Sequence, residues 1–250
     1  MNTIFDKIYV ISLITNNSRR EFIKKQMDEL GLDFEFIYGI NFKVLKYDYF
    51  GNEIKYPWTF NCGLNLAGSY GCAISHFDAI SRAYYLGYKN VLVIEDDICF
   101  IKDKNLIAYY LNKIPNDADF ITWVPRFFNK DEYKIVLNEI KNTKNHYMLL
   151  KNNIRTLLGT MMYGIMNRDI MNLYLNNQYK KFRLADHVNG FYEYPTVKRY
   201  IATKCMCVDQ HNIENNFNAN LHYECIYKEI DDKLTTDLFY KPNIYFSFSR

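Results

Sequence analysis

The feature that most constrains the fold is the segment VLVIEDDICF, residues 91–100, in which four apolar residues run straight into Glu95, Asp96 and Asp97. An unbroken apolar run of this length predicts a strand buried on both faces, the kind found in parallel sheets. Three carboxylates at its end repel one another and are costly to desolvate, and Mg²⁺ or Mn²⁺ would relieve that cost. Open α/β sheets bind ligands beyond the carboxyl ends of their strands. A solvated acidic turn is the alternative interpretation.

Strand and helix patterns alternate along the rest of the chain, and this alternation predicts an α/β fold with a mainly parallel central sheet. Residues 41–65 lack periodicity and are interpreted as a long loop. The first helix is expected to be capped by Asn17 or Ser18 and to end at Gly31. Predicted strands cover 5–13, 33–40, 118–124, 159–166 and 192–203, with weaker signals at 133–137 and 146–150, and predicted helices cover 19–30, 69–86, 104–113 and 168–177.

Composition limits the partners and the compartment. The net charge of +3 over 250 residues is too small to predict nucleic-acid binding without a basic patch. There is no signal-peptide pattern and no stretch near the roughly 20 apolar residues that span a bilayer, so we expect a soluble, cytoplasmic protein. Peripheral membrane contact and the oligomeric state stay open. The six cysteines lack zinc-site spacing and are expected to be buried thiols.

Three segments together resemble glycosyltransferase family 25, the group of lipooligosaccharide and collagen galactosyltransferases. They are KIYVISLITNNSRREFIKKQM from Lys7, LAGSYGCAISHFDAI at 66–80, and VLVIEDDI from Val91. The second is similar to the family's Gly-x-x-Gly-Cys-x-x-Ser-His pattern, and the third to its strand with a Glu-Asp-Asp motif. Weaker similarities follow in GTMMYGIMNRD, LADH and VDQH.

The resemblance implies a GT-A type fold, Rossmann-like and flanked by helices. It divides the chain into a catalytic domain at 1–220 and a C-terminal extension at 221–250. Within the domain, 1–125 would be the nucleotide-sugar-binding half and 126–220 the acceptor-side half.

The resemblance also implies a metal site for Mn²⁺ or Mg²⁺. Asp97 is the expected ligand, with Asp96 and His211 as further candidates, and a solvated loop histidine is the alternative for His211. Glu95 or Asp96 would orient the ribose or a metal-bound water. Because the family inverts the anomeric centre, a general base is required, and Asp186 in LADH is the candidate. Asp169 and Glu193 are the second-choice candidates for the base. The alternative for Asp186 is a turn or N-cap aspartate.

The remaining candidates would contact the donor. Arg19 and Arg20 open a helix near the end of the first strand and suit a diphosphate or the uracil edge, unless they are plain surface arginines. Ser12 and Leu13 would meet the base through their backbone. Ser75 and His76 would reach the diphosphate or the acceptor. The alternative for His76 is a buried structural histidine whose ring forms a hydrogen bond with a backbone carbonyl. The tyrosine-rich stretches 38–58 and 192–200 could stack on sugar rings.

The predicted function is a metal-dependent, inverting transfer of a hexose, galactose or glucose, from a UDP-sugar to a hydroxyl of a glycan or of hydroxylysine. Two rivals stay open. A non-catalytic nucleotide-sugar-binding protein would bind the donor without turnover, and a nucleotidyltransferase would need a glycine-rich triphosphate loop that is not seen after the first strand.

Overall fold

The structure is a computed structural model that describes residues 4–39, 41, 66–127, 129–154, 157–158, 161–180, 194–209, 231, 233 and 235–241. The α-helices in these stretches are α1 (Asn17–Leu30), α2 (Leu66–Tyr85), α3 (Lys104–Leu111), α4 (Lys130–Asn142) and α5 (Arg168–Lys180), and a short 3₁₀ helix covers Thr236–Leu238. The strands are β1 (Lys7–Leu13), β2 (Glu35–Gly39), β3 (Val91–Glu95), β4 (Ile98–Phe100), β5 (Phe120–Thr122), β6 (Arg126–Phe127), β7 (Tyr147–Leu149), β8 (Leu157–Leu158), β9 (Met162–Ile165), β10 (Arg199–Ala202) and β11 (Cys207–Asp209). Among the described helices, none combines the length and the apolar character that a membrane span requires.

A seven-stranded sheet with the order β2-β1-β3-β9-β5-β10-β7 forms the centre of the fold. β1 pairs in parallel with β2 and β3, and β5 pairs in parallel with β10. β9 runs antiparallel between β3 and β5, and β7 runs antiparallel to β10 at one edge. Five of the seven strands therefore point the same way, so the predicted α/β class with a mainly parallel sheet is confirmed.

β3 is buried on both faces, as its apolar run predicts. Leu92 and Ile94 belong to one hydrophobic core, and Val91 and Val93 belong to a second. Because successive side chains of a strand point to opposite faces, the two cores lie on the two sides of the sheet. α1 contributes to the first core, and α2 and α5 contribute to the second. Full burial of each such side chain contributes about 1.5–3 kcal/mol, which fixes the end of β3 firmly in the fold.

α1 ends as predicted but begins differently. Gly31 adopts φ 67°, the left-handed conformation that favours glycine, and its N–H donates to the Asp28 carbonyl at 3.0 Å. The helix starts at Asn17, and Asn16 precedes it without a side-chain capping bond. The predicted capping by Asn17 or Ser18 is therefore wrong, because both residues already lie inside the helix.

The weak strand signal at 133–137 is also wrong, since these residues form the middle of α4. The side chain of Asn129 accepts hydrogen bonds from the backbone N–H groups of Asp131 and Glu132 and so starts the helix. Val136 and Ile140 are buried one helical turn apart. The second weak signal, at 146–150, is confirmed by β7.

The described residues near the C-terminus pack against β4. The backbone N–H of Tyr240 donates to the Phe100 carbonyl at 2.9 Å, and that of Lys102 donates to the Leu238 carbonyl at 2.8 Å. Phe239 has no exposed surface and belongs to the same core as β4. Part of the segment predicted as an extension therefore completes the core of the sheet.

Candidate active site

The carboxyl ends of β1 and β3 lie side by side at one edge of the sheet. Ile11 is the register partner of Glu95, and the backbone N–H of Asp96 donates to the Ile11 carbonyl at 3.1 Å. Asp96 and Asp97 form the turn that follows β3. This pairing brings the end of β1 and the first turn of α1 next to the acidic motif, although they are distant in sequence.

Asp96 is almost fully buried, and both of its carboxylate oxygens have donors. Ser12 Oγ donates to Oδ2 at 2.6 Å, and Arg19 Nη1 donates to Oδ1 at 3.2 Å. Burial raises the pKa of Asp96 above its ordinary value, while the Ser12 hydrogen bond and the Arg19 charge act in the opposite direction. Because folding raises the pKa of Asp96, the free energy of unfolding falls as the pH rises from the ordinary pKa of an aspartate through the raised pKa of the folded protein.

Replacing Ser12 by alanine is expected to lower the free energy of unfolding at neutral pH by about 1.5–3 kcal/mol, the usual contribution of a hydrogen bond to a charged group. Ser12 favours the charged form of Asp96, so its contribution is present while Asp96 is ionised. It is lost as the pH falls through the pKa of that carboxyl. Urea unfolding at neutral and acid pH measures the difference, and Ser18→Ala, at an exposed site on α1, is the matched control. An equal loss at both pH values would contradict the assignment.

Asp97 lies beside this cluster and is the more accessible acid. Its side chain is 15% exposed, against 9% for Asp96, and its Oδ2 lies 3.9 Å from Arg19 Nη1. Arg19 therefore lies within ion-pair distance of both carboxylates. Both oxygens of Asp96 accept hydrogen bonds, and Asp97 is the more exposed of the two acids.

Arg20 turns away from the acids and towards β2. It donates hydrogen bonds to the Leu13 carbonyl and to the Asn17 side chain, and its guanidinium lies 5.7 Å from the centre of the Tyr38 ring. Tyr38 is 54% exposed near the carboxyl end of β2. The Leu13 carbonyl also accepts from the Asn16 N–H at 2.9 Å. Arg19 thus contacts the acids, whereas Arg20 contacts Tyr38. Arg20 and Tyr38 together offer a flat, exposed surface for stacking.

His76 is fully buried behind Glu95. Its Nδ1 lies 3.0 Å from the Tyr163 hydroxyl, and its Nε2 lies 3.2 Å from Glu95 Oε1. These side chains take the place of the backbone carbonyl expected for a structural histidine. The sequence pointed to Tyr163 only through the weak GTMMYGIM similarity and assigned it no role.

Ser75 is also buried and faces β2 rather than solvent. Its Oγ donates to the Gly71 carbonyl at 2.7 Å. An added Cβ at Gly39 would come within 2.8 Å of the same oxygen, so Gly39 is needed for this close approach. The structure therefore places Ser75 and His76 at the contact between α2 and the sheet. This contact lies behind the acidic edge, the end of the sheet that carries Glu95, Asp96 and Asp97.

Three of the sequence-predicted residues fall outside the described residues: Asp186, Glu193 and His211. Among the described residues, Asp209 of β11 is the register partner of Ile98, the residue after Asp97. Asp169 follows β9, whose antiparallel direction carries its end to Val91 at the start of β3. Asp169 is thus at the opposite edge of the sheet from Asp97, which removes it as an alternative base.

The sequence profile of glycosyltransferase family 25, described as an LPS biosynthesis protein, matches residues 5–188. The chain belongs to glycosyltransferase family 25. The match includes β1, β3 and the whole acidic edge, and membership makes the protein a glycosyltransferase. Together with the mainly parallel sheet, it confirms the expected GT-A type fold.

Solved structures show a distant likeness to this family member. One is a glycosyltransferase involved in the glycosylation of the major capsid of PBCV-1, with 10% identity, a TM-score of 0.40, and coverage of 81% of this chain and 92% of that chain. Another is A197 from STIV, with 9% identity, a TM-score of 0.34, and coverage of 78% and 79%. At scores this low the likeness does not distinguish one activity from another. Among curated proteins, none matches this sequence.

Proposed function

We propose that this glycosyltransferase is metal-dependent and inverting, and that it moves galactose or glucose from a UDP-sugar to a hydroxyl of a glycan or of hydroxylysine. The observation that carries the proposal is the edge where Ser12 and Arg19 hold Asp96 while Asp97 lies beside them, more exposed. A buried carboxylate needs hydrogen-bond donors or a paired charge. These acids lie at the carboxyl ends of the strands, where ligands bind in open α/β sheets.

The donor's diphosphate fits the positive side of this edge. Arg19 lies in the first turn of α1, where the helix N-terminus and the guanidinium both favour an anion. Arg20 and the exposed ring of Tyr38 lie nearby and suit stacking on the uracil base. On this proposal the base lies over β2 and the diphosphate points towards the acids.

The acids fit a hard cation such as Mn²⁺ or Mg²⁺. Mg²⁺ is commonly held by one or two carboxylates together with substrate phosphates and waters, and Asp97 supplies a carboxylate that is partly exposed. When bound, the ion would stabilise the negative charge of the leaving nucleoside diphosphate. Asp96, which is engaged by Ser12 and Arg19, would instead fix the position of the turn that carries Asp97.

His211 stays our candidate for a further ligand, and Asp186 our candidate for the general base. Asp209, two positions before His211 in the sequence, is the register partner of Ile98, the residue after Asp97, and this supports the candidate. Asp186 would take the proton of the acceptor hydroxyl, as an inverting reaction requires. The division of the catalytic domain into halves at 1–125 and 126–220 and a cytoplasmic location go with this function, whereas the burial of Phe239 against β4 argues against a separate extension at 221–250.

The proposal predicts that UDP and UDP-hexoses raise the Tm of the protein in the presence of Mn²⁺, and that EDTA removes the effect. The physical reason is that a ligand that binds only the folded state stabilises it, by about 2.7 kcal/mol at a hundredfold excess over Kd. The measurement is a thermal-shift series with UDP, UDP-galactose, UDP-glucose and GDP-sugars. The donor with the largest shift is then tested for release of UDP with and without glycan acceptors.

Each outcome bears on a named alternative. Binding of UDP-sugars with neither hydrolysis nor transfer would favour the non-catalytic binding protein. Equal shifts for GDP-sugars and UDP-sugars would contradict the assignment of uracil to the surface of Arg20 and Tyr38. No shift with any nucleotide would contradict the donor site itself.

A further inference from the structure

Three side chains with different metal-binding chemistry meet behind the acidic edge. Cys72 and His76 lie four residues apart on α2, so they project from the same face of the helix, and Glu95 ends β3. The Cys72 sulfur, a His76 ring nitrogen and a Glu95 carboxylate oxygen all lie within 4.8 Å of one another. The packing of α2 on the sheet thus assembles a thiol, an imidazole and a carboxylate that are separate in sequence.

The distances are close to those of a tetrahedral metal site. Metal–ligand bonds of about 2.0–2.3 Å place neighbouring ligand atoms roughly 3.3–3.8 Å apart. His76 Nε2 and Glu95 Oε1 are already 3.2 Å apart, and the Cys72 sulfur lies within 4.8 Å of a ligand atom of each residue. Cys72 and Glu95 are partly exposed, whereas His76 is buried.

The hydrogen-bond partner of the second His76 ring nitrogen also suits a metal-binding histidine. His76 Nδ1 lies 3.0 Å from the Tyr163 hydroxyl. Histidine ligands to metals usually donate their second N–H to a fixed oxygen, which sets the tautomer and the ring orientation. With the proton on Nδ1 and donated to Tyr163, Nε2 is left with the lone pair that a metal needs.

We propose that Cys72, His76 and Glu95 form a second metal site, selective for Zn²⁺ or a similar borderline-soft ion, with Tyr163 as the orienting partner of His76. A thiolate and an imidazole favour such ions, whereas Mg²⁺ and Mn²⁺ prefer carboxylates and water. Binding releases the proton of the Cys72 thiol to solvent. The His76 ring proton, which Nε2 donates to the Glu95 carboxylate in the metal-free protein, moves to Nδ1, where the Tyr163 hydroxyl accepts it and leaves Nε2 for the ion. The site would fasten α2 to the end of β3 directly before Asp96. It does not depend on the proposed donor specificity.

Cobalt titration tests the site, because a Co²⁺–thiolate bond gives a charge-transfer absorption that carboxylate and imidazole ligands do not give. The full chain is treated with a chelator, dialysed and titrated with Co²⁺, and then with Zn²⁺. We expect the absorption to saturate at one equivalent and to disappear when Zn²⁺ is added. No thiolate absorption at stoichiometric Co²⁺ would overturn the proposal.

Variants locate the ion. Cys72→Ser is expected to lose the absorption, whereas Cys99→Ser, at a buried thiol in β4, is expected to keep it. Tyr163→Phe is expected to keep the absorption but to weaken metal affinity by about 10–100-fold, the usual effect of removing a partner of a ligating histidine. Asp97→Asn removes the proposed donor-site ligand and is expected to leave the absorption unchanged. Thiolate absorption in a folded Cys72→Ser protein, or unchanged affinity in Tyr163→Phe, would overturn the assignment.

Discussion

Replacing Asp97 by asparagine is expected to lower kcat/KM for sugar transfer by at least ~100-fold, because a Lewis-acid metal supplies several kcal/mol to the transition state and about 1.36 kcal/mol corresponds to a factor of ten. Asparagine keeps the size of the side chain and removes its charge. The change also relieves repulsion with Asp96, so the fold is expected to persist. Arg19, 3.9 Å from Asp97, stays paired with Asp96.

The measurement is the release of UDP from the donor that gives the largest thermal shift, with Mn²⁺ varied from absent to saturating. Asp28→Asn is the matched control, since Asp28 is an exposed acid on α1 paired with Lys24. That variant is expected to behave as wild type. If Asp97→Asn keeps its activity and its Mn²⁺ dependence, the metal is held elsewhere and the assignment of Asp97 is wrong.

The features predicted best from the sequence are those set by local periodicity. The apolar run of β3 fixes a strand buried on both faces, and Gly31 ends α1 because its backbone adopts a left-handed conformation there. Once β1 and β3 are recognised as neighbouring parallel strands, the meeting of their carboxyl ends follows. The general location of the site, near Asp96 and Asp97, can therefore be inferred from the amino-acid sequence.

The contacts within the site cannot be inferred in this way, because they depend on packing between distant segments. The sequence predicted a contact between the Ser12 backbone and a nucleotide base, and it did not predict that the Ser12 hydroxyl donates to Asp96. The cysteines showed no zinc spacing, yet α2 packing brings Cys72 to Glu95 across the helix–sheet contact. Apolar residues at 135–137 look like a strand in isolation, and only the Asn129 cap and burial on one helix face show α4. Asp186 and His211 stay predictions.

Replacing Phe239 by alanine is expected to lower the free energy of unfolding by about 3–5 kcal/mol, the usual cost of removing a buried phenylalanine side chain. Phe239 has no exposed surface, and it bridges to Ile101 just after β4. Equilibrium unfolding in urea measures the loss.

Leu238→Ala is a control one residue away. Leu238 is 41% exposed, so its truncation is expected to change stability by about 0.5 kcal/mol or less. A large loss for Phe239→Ala alone would show that residues near the C-terminus are part of the catalytic domain's core, and that its boundary lies beyond residue 220. Equal, small losses would instead make this segment a separable extension. The distinction matters for the site, because β4, which Phe239 covers, begins at the residue after Asp97.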